Sequence, residues 1–257
     1  MKEDRAMSHC TLIAHRGTKT LAPENTFSAF QAALDHGINW IETDVDIMGD
    51  GTPIIMHDTS LDRTTNHPGL YYNLAASDLA SIDAGSWFSP DFAGEKIPTL
   101  SGLVQFMNER ELNANIEIKS NEQGKKQTLQ LIDNVIAELE NLDPARKVIV
   151  SSFNHVLLSV FKQRAPKLPV GCLYETVALY DDWKSILELV GAEYIHPEDS
   201  YLTRERVDAF HAAGFGVNVW TVDDPGRANQ LANWGVDGVI SNCPQLLTGI
   251  TGAVSEK

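Results

Sequence analysis

The sequence predicts an α/β fold, a parallel sheet closed into a (β/α)8 TIM barrel with a small insertion after the second strand. Three observations point there. Eight apolar segments of strand length alternate with segments of helical period, the pattern of a parallel sheet with crossover helices. No glycine-rich dinucleotide fingerprint follows the first strand, which disfavours an open doubly wound sheet. The chain has 257 residues, 43% of them hydrophobic, and no linker rich in Pro, Gly or Ser divides it, so one core and a single domain over residues 1–257 are expected.

In chain order the strands are expected at Thr11–His15, Trp40–Ile47, Asn115–Lys119, Lys147–Ser152, Pro169–Tyr174, Ala192–His196, Gly216–Val222 and Val236–Ser241. Thr52–His57 reads as an extra extended piece attached to the second strand. The intervening helices carry readable punctuation. Phe27, Phe30 and Leu34 share one face before Gly37, and Thr99 caps a helix that buries Leu100, Leu103, Val104 and Met107. Trp183, Ile186, Leu187 and Val190 repeat the pattern before Gly191. Thr203 opens a segment ending at Gly214, and Asp224-Pro225 opens one ending at Gly235. These four glycines stand where a helix hands over to a strand and the turn calls for a left-handed residue. The stretch Asp58–Pro98 is irregular, with one short helix near Ser77–Ile82. It forms the insertion (about 58–98), and its length and aromatics suggest an ordered flap over the site.

A formal net charge of −15 argues against nucleic acid or an anionic lipid surface as a bulk partner. An anionic substrate then needs a local positive spot, from a metal or a few basic side chains. Residues 1–10 lack the apolar core of a signal peptide and no later run approaches a membrane span, so no stable membrane association is expected. Cys10, Cys172 and Cys243 form neither a zinc spacing nor a disulfide framework, which suits a cytoplasmic home.

Residues at the C-terminal ends of barrel strands face the active site, and polar residues concentrate there. The first strand ends in His15-Arg16, the second carries Glu42, Asp44 and Asp46 at alternate positions on one side, and its extension ends in His57-Asp58. The third carries Glu117 and Lys119, and the seventh Asn218 and Trp220. Glu42, Asp44 and Glu117 would put three negative charges into a partly desolvated mouth, a conflict that a divalent cation removes. Oxygen ligands favour Mg2+, with Ca2+ or Mn2+ as alternatives, over Zn2+. The plainer alternative pairs these acids with Lys119 or Arg16.

His15 and His57 project toward the same mouth and form a candidate acid–base pair for phosphodiester cleavage, although either alone could be structural or a metal ligand. Arg16 and Lys119 are candidates to hold phosphate oxygens, and a salt bridge that neutralises Glu117 is the alternative role for Lys119, compatible with the first. Trp220 either walls the pocket against an alcohol moiety or fills barrel space. His9, His36, His67, His155, His196 and His211 lack such a context and read as structural or exposed.

Read in order, these residues resemble the glycerophosphodiester phosphodiesterase family. The matching motifs are His15-Arg16-Gly17, Pro23-Glu24-Asn25-Thr26, Ile41-Glu42-Thr43-Asp44-Val45 and Asp50-Gly51-Thr52-Pro53, then His57-Asp58 through Thr64-Thr65. Ile116-Glu117-Ile118-Lys119, Val219-Trp220-Thr221-Val222 and Gly235-Val236-Asp237-Gly238 complete the series, from about Leu12 to Pro244. The resemblance implies a TIM barrel, a divalent metal on Glu42, Asp44 and Glu117, His15 and His57 as acid–base pair, and Arg16 and Lys119 near the phosphate. It implies hydrolysis of small glycerophosphodiesters, such as glycerophosphocholine or glycerophosphoethanolamine, to sn-glycerol 3-phosphate and an alcohol. Two departures, Met48-Gly49 and Ser241-Asn242-Cys243-Pro244, are expected to leave the proposed catalytic residues untouched. Competing readings are a lysophospholipase D-like enzyme, a Schiff-base aldolase using Lys119, and a non-catalytic phosphate-binding barrel.

Overall fold

The computed structural model describes residues 10–121 and 123–250. His9, and most of the segment read for a signal peptide, lie outside the described residues. Eight parallel strands form the barrel: β1 (Thr11–His15), β2 (Trp40–Ile47), β4 (Asn113–Ile118), β5 (Val148–Ser152), β6 (Val170–Tyr174), β7 (Tyr194–Pro197), β8 (Gly216–Val219) and β9 (Gly238–Ser241). Each pairs with the next, and β1 pairs with both β2 and β9, which closes the cylinder. The predicted extra piece is β3 (Pro53–Ile55), folded back antiparallel on Val45–Ile47 of β2.

The helices lie between successive barrel strands: α1 (Phe27–Asp35), α2 (Leu100–Arg110), α3 (Gly124–Leu139), α4 (His155–Arg164), α5 (Trp183–Val190), α6 (Arg204–Ala212) and α7 (Pro225–Trp234). Thr99, Thr203 and Asp224 cap their helices as predicted, each side chain accepting a backbone N–H three residues on. Gly37, Gly191, Gly214 and Gly235 all have positive φ. β8 stops at Val219 rather than Val222, and Trp220 extends its pairing with the β7 side only as an isolated parallel bridge to Glu198, Trp220 N donating to Pro197 O and Trp220 O accepting from Asp199 N.

The main hydrophobic core lies between the sheet and the helices. The barrel centre is polar: Asn115 Nδ2 donates to Ser151 Oγ (2.9 Å), and Asn218 Nδ2 lies 3.1 Å from His196 Nε2. Glycine makes room for this layer. A Cβ on Gly171 would lie 2.5 Å from His196 Nε2, and one on Gly238 2.5 Å from Asn218 Oδ1.

The insertion builds a second hydrophobic cluster around Met48, Ile54, Leu61, Tyr71, Tyr72 and Ile82. Met48-Gly49 belongs to it: Met48 is buried there, and a Cβ on Gly49 would lie 2.3 Å from Tyr72 O. Tyr71 and Tyr72 do not reach over the barrel mouth as a flap. Their hydroxyls donate to Asp46 Oδ2 at 2.7 and 2.5 Å, and Asn121 Nδ2 donates to Oδ1 at 3.2 Å. With these donors Asp46 stays outside the cluster that Glu42 and Asp44 form with Glu117, although it shares their alternation along β2. Burial pushes the Asp46 carboxyl up, and the tyrosines oppose the shift.

Candidate active site

The site is built from strand register. His15, the last residue of β1, stands opposite Glu42, and Asp44 stands opposite Glu117. After His15 the chain takes two left-handed residues, Arg16 (φ 56°) and Gly17 (φ 76°). A side chain at position 17 would lie 2.7 Å from the Ala29 backbone, so the turn needs glycine. The turn points Arg16 N at Glu42 Oε2 (3.1 Å), while the guanidinium reaches Glu24 Oε1 (2.9 Å) and Asp44 Oδ2 (3.4 Å). Asn25, also left-handed, donates to Asp44 Oδ2 (2.9 Å) and accepts from Thr43 Oγ1 (2.8 Å).

Glu42, Asp44 and Glu117 are buried, and each offers an oxygen within 4.8 Å of the others. Burial and then the Asp44 charge raise Glu42 well above the carboxylate range, and the same two causes raise Glu117 to about 7. Asp44 goes the other way: burial favours its proton, but Lys119 and Arg16 together hold it low. Lys119 Nζ donates to Glu117 Oε1 (2.7 Å) and lies 3.4 Å from Asp44 Oδ1. Despite burial, these acids keep the Lys119 ammonium above its usual range. A Schiff-base amine needs the opposite shift. An all-oxygen cluster whose members resist ionising together fits a hard divalent cation, so the cluster could hold a metal ion.

Each histidine is fixed through Nδ1. His57 follows β3, where Met56 N donates to Asp44 O (3.0 Å), and its Nδ1 lies 2.7 Å from Asp58 Oδ1. Asp58 is bound in turn by Arg63, whose Nε lies 2.6 Å from Oδ2. Arg63 also bonds Glu24 through both terminal nitrogens (3.0 and 2.7 Å).

His15 Nδ1 lies 2.6 Å from Asn242 Oδ1. The 241–244 ending therefore does touch a proposed catalytic residue, contrary to expectation, because closure of β9 on β1 brings Asn242 beside His15. Asn242 Nδ2 donates to Asp223 Oδ2 (2.7 Å), and a carboxylate only accepts, so Oδ1 faces the imidazole and Nδ1 carries the proton. Nε2 is then the free nitrogen, 3.7 Å from Glu42 Oε2. Burial, then the Arg16 charge, lowers His15 to about 4; burial also lowers His57, with Asp44 and Asp58 opposing.

His15, Arg16, Glu42, His57 and Glu117 line one cavity of about 220 Å3, which Trp220 also lines. Six of the eight predicted residues thus line this cavity, and the other two, Asp44 and Lys119, are tied to it by the Arg16–Asp44 and Lys119–Glu117 ion pairs. Trp220 Nε1 donates to His196 O (2.8 Å). Glu24, Asn25, Asp58, Asp223 and Asn242 are further members of the site, beyond those the sequence singles out. The Pro23-Glu24-Asn25-Thr26 motif was the available signal for the first two.

Residues 15–246 match the glycerophosphoryl diester phosphodiesterase family. A glycerophosphodiester phosphodiesterase of Caldanaerobacter subterraneus subsp. tengcongensis is 34% identical over 239 residues, 93% of this chain and 96% of that one. One from Bacillus subtilis is 30% identical over 246 residues, 91% of this chain and 84% of that one. An Oleispira antarctica phosphodiesterase, solved in complex with the product sn-glycerol-3-phosphate, superposes with a TM-score of 0.88 at 32% identity, covering 93% of this chain and 96% of that one.

Proposed function

Because this chain belongs to the glycerophosphoryl diester phosphodiesterase family and is a phosphodiesterase of that kind, we propose that it hydrolyses small glycerophosphodiesters to sn-glycerol 3-phosphate and an alcohol, with a divalent metal and a His15/His57 acid–base pair. The observation that carries the reading is the convergence of both imidazoles and the acidic trio on one cavity. A cavity of about 220 Å3 suits a glycerophosphodiester better than a substrate carrying a long acyl chain.

Glu42, Asp44 and Glu117 would hold the cation, with Mg2+ preferred and Ca2+ or Mn2+ as alternatives. A divalent ion there supplies Lewis-acid stabilisation of charge on the phosphate. Arg16 and Lys119 orient the non-bridging oxygens, and Trp220 walls the alcohol side. With Nδ1 of each imidazole committed to Asp58 or Asn242, Nε2 is the atom left to move a proton. One histidine takes the proton of the attacking hydroxyl and the other protonates the leaving alkoxide. Attack by water gives sn-glycerol 3-phosphate at once, whereas attack by the glycerol 2-hydroxyl gives a cyclic phosphate that water then opens.

Glycerophosphocholine turnover, followed by release of sn-glycerol 3-phosphate with Mg2+, Mn2+ or Ca2+ supplied separately, tests the reading. Metal-dependent release is the expected result. No release with any of the three ions would defeat it.

A further inference from the structure

The two halves of the cavity are chemically unlike. Its ionic wall comes from β1, β2, β3 and β4, whereas Phe153, Glu175 and Trp220 follow β5, β6 and β8 on the opposite side of the cylinder. Phe153 and Trp220 meet edge to face, with centroids 5.4 Å apart and planes at 87°, so the rings form a two-walled corner. The bond from Trp220 Nε1 to His196 O holds the indole in place. Phe153 is 39% exposed and Glu175 is exposed, which sets this corner at the cavity's mouth. The Glu175 carboxylate makes no ion pair or side-chain hydrogen bond among the described residues.

We propose that Phe153, Trp220 and Glu175 form a subsite for the alcohol half of the substrate that selects a quaternary-ammonium alcohol, so that glycerophosphocholine is preferred over polyol diesters. The inference rests on the phosphodiesterase reading above and refines its substrate class. A trimethylammonium group has no hydrogen-bond donors, so it gains little from a polar wall. Aromatic faces attract it through their quadrupole, and one free carboxylate supplies the counter-charge. The corner offers both. The chain's net charge of −15 favours a cationic group at the mouth. A glycerol or inositol headgroup would meet two rings, the aliphatic Leu173 and Ile240, and a single acceptor that matches few of its hydroxyls. The glycerol half, rich in hydroxyls, fits the ionic wall instead.

The test compares kcat/KM for glycerophosphocholine with that for glycerophosphoglycerol in the parent enzyme and in Glu175→Gln, Glu175→Lys and Phe153→Leu. The expected ratio is about tenfold in favour of the choline ester in the parent, the yield of a partly desolvated cation–π contact with a counter-charge. It should fall severalfold in E175Q and F153L and invert in E175K. A parent ratio near one, or a ratio that none of the substitutions moves, overturns the proposal. Calorimetric binding of the two diesters to the His57→Ala protein reads the subsite without turnover. If the chain hydrolyses neither diester but this variant binds the choline ester more tightly, the activity reading fails and the subsite stands. Equal binding sinks the subsite.

Discussion

Asn242 Oδ1 accepts a hydrogen bond from Nδ1 of His15 at 2.6 Å, across 227 residues of chain, and Asp223 fixes which way the amide faces. The amide sets the imidazole's tautomer and ring angle while adding no charge. Asn242→Leu should lower kcat by about 10–100-fold, the scale of a mispositioned reacting group, with KM little changed. Asn242→Asp combined with Asp223→Asn keeps an acceptor toward Nδ1 and a donor across the 2.7 Å contact between the two side chains, and should retain most of the rate. Steady-state kinetics on both variants decide this, and equal losses would mean that the acceptor is not what matters.

The two imidazoles should be separable from the cation. His15→Ala and His57→Ala are each expected to lower kcat by roughly 10²–10⁴-fold while metal content stays near that of the parent. Metal analysis run beside the rate assay tells lost proton transfer from lost metal. Near-normal turnover of either variant would remove that residue from the acid–base pair.

Dialysis against EDTA should abolish turnover, and added Mg2+, Ca2+ or Mn2+ should restore it. Glu117→Gln should weaken metal affinity and leave the Lys119 ammonium without its nearest carboxylate, 2.7 Å away in the parent. Full activity in chelator would exclude a metal role for the trio.

Asp46 is a buried acid bonded to two phenols. Tyr71→Phe removes one donor and should cost about 1–3 kcal/mol of stability, because a buried acceptor loses a partner. Thermal or urea unfolding measures the loss. A neutral result would show that water replaces the hydroxyl.

His196 is fully buried, and burial lowers its imidazole from 6.5 to about 3. Below pH 6.5 the unfolded chain takes up a proton that the folded chain refuses, so acidification toward pH 3 should destabilise the fold. One such group contributes a slope of at most about 1.4 kcal/mol per pH unit. His196→Gln should flatten the stability profile between these limits. An unchanged slope would mean that His196 protonates in place.

Much of the site was legible because it is written locally. Alternation along β2 places Glu42 and Asp44 on one side, the same spacing pairs Glu117 with Lys119, and caps such as Thr99 and stops such as Gly191 punctuate the helices. What stayed hidden depends on closure or on distant partners. Nothing near Asn242 announces His15, since only the β1–β9 seam brings them together. Asp46 shares the period of Glu42 and Asp44, and only the folded insertion reveals that two tyrosines claim it. Helices α3 and α4 are punctuated less clearly in the sequence. The first has no side-chain cap, and the Asn154 cap of the second lies just past the strand end at Ser152.

Arg63 ties the insertion to the chemistry, since one guanidinium holds both Glu24 and the carboxylate behind His57. The order of this side lobe therefore acts as a dial on turnover. Gentle warming that frays residues 58–98 alone would slow the enzyme while the opposite wall kept its shape, so the loss of rate and the melting of the strands would occur at different temperatures.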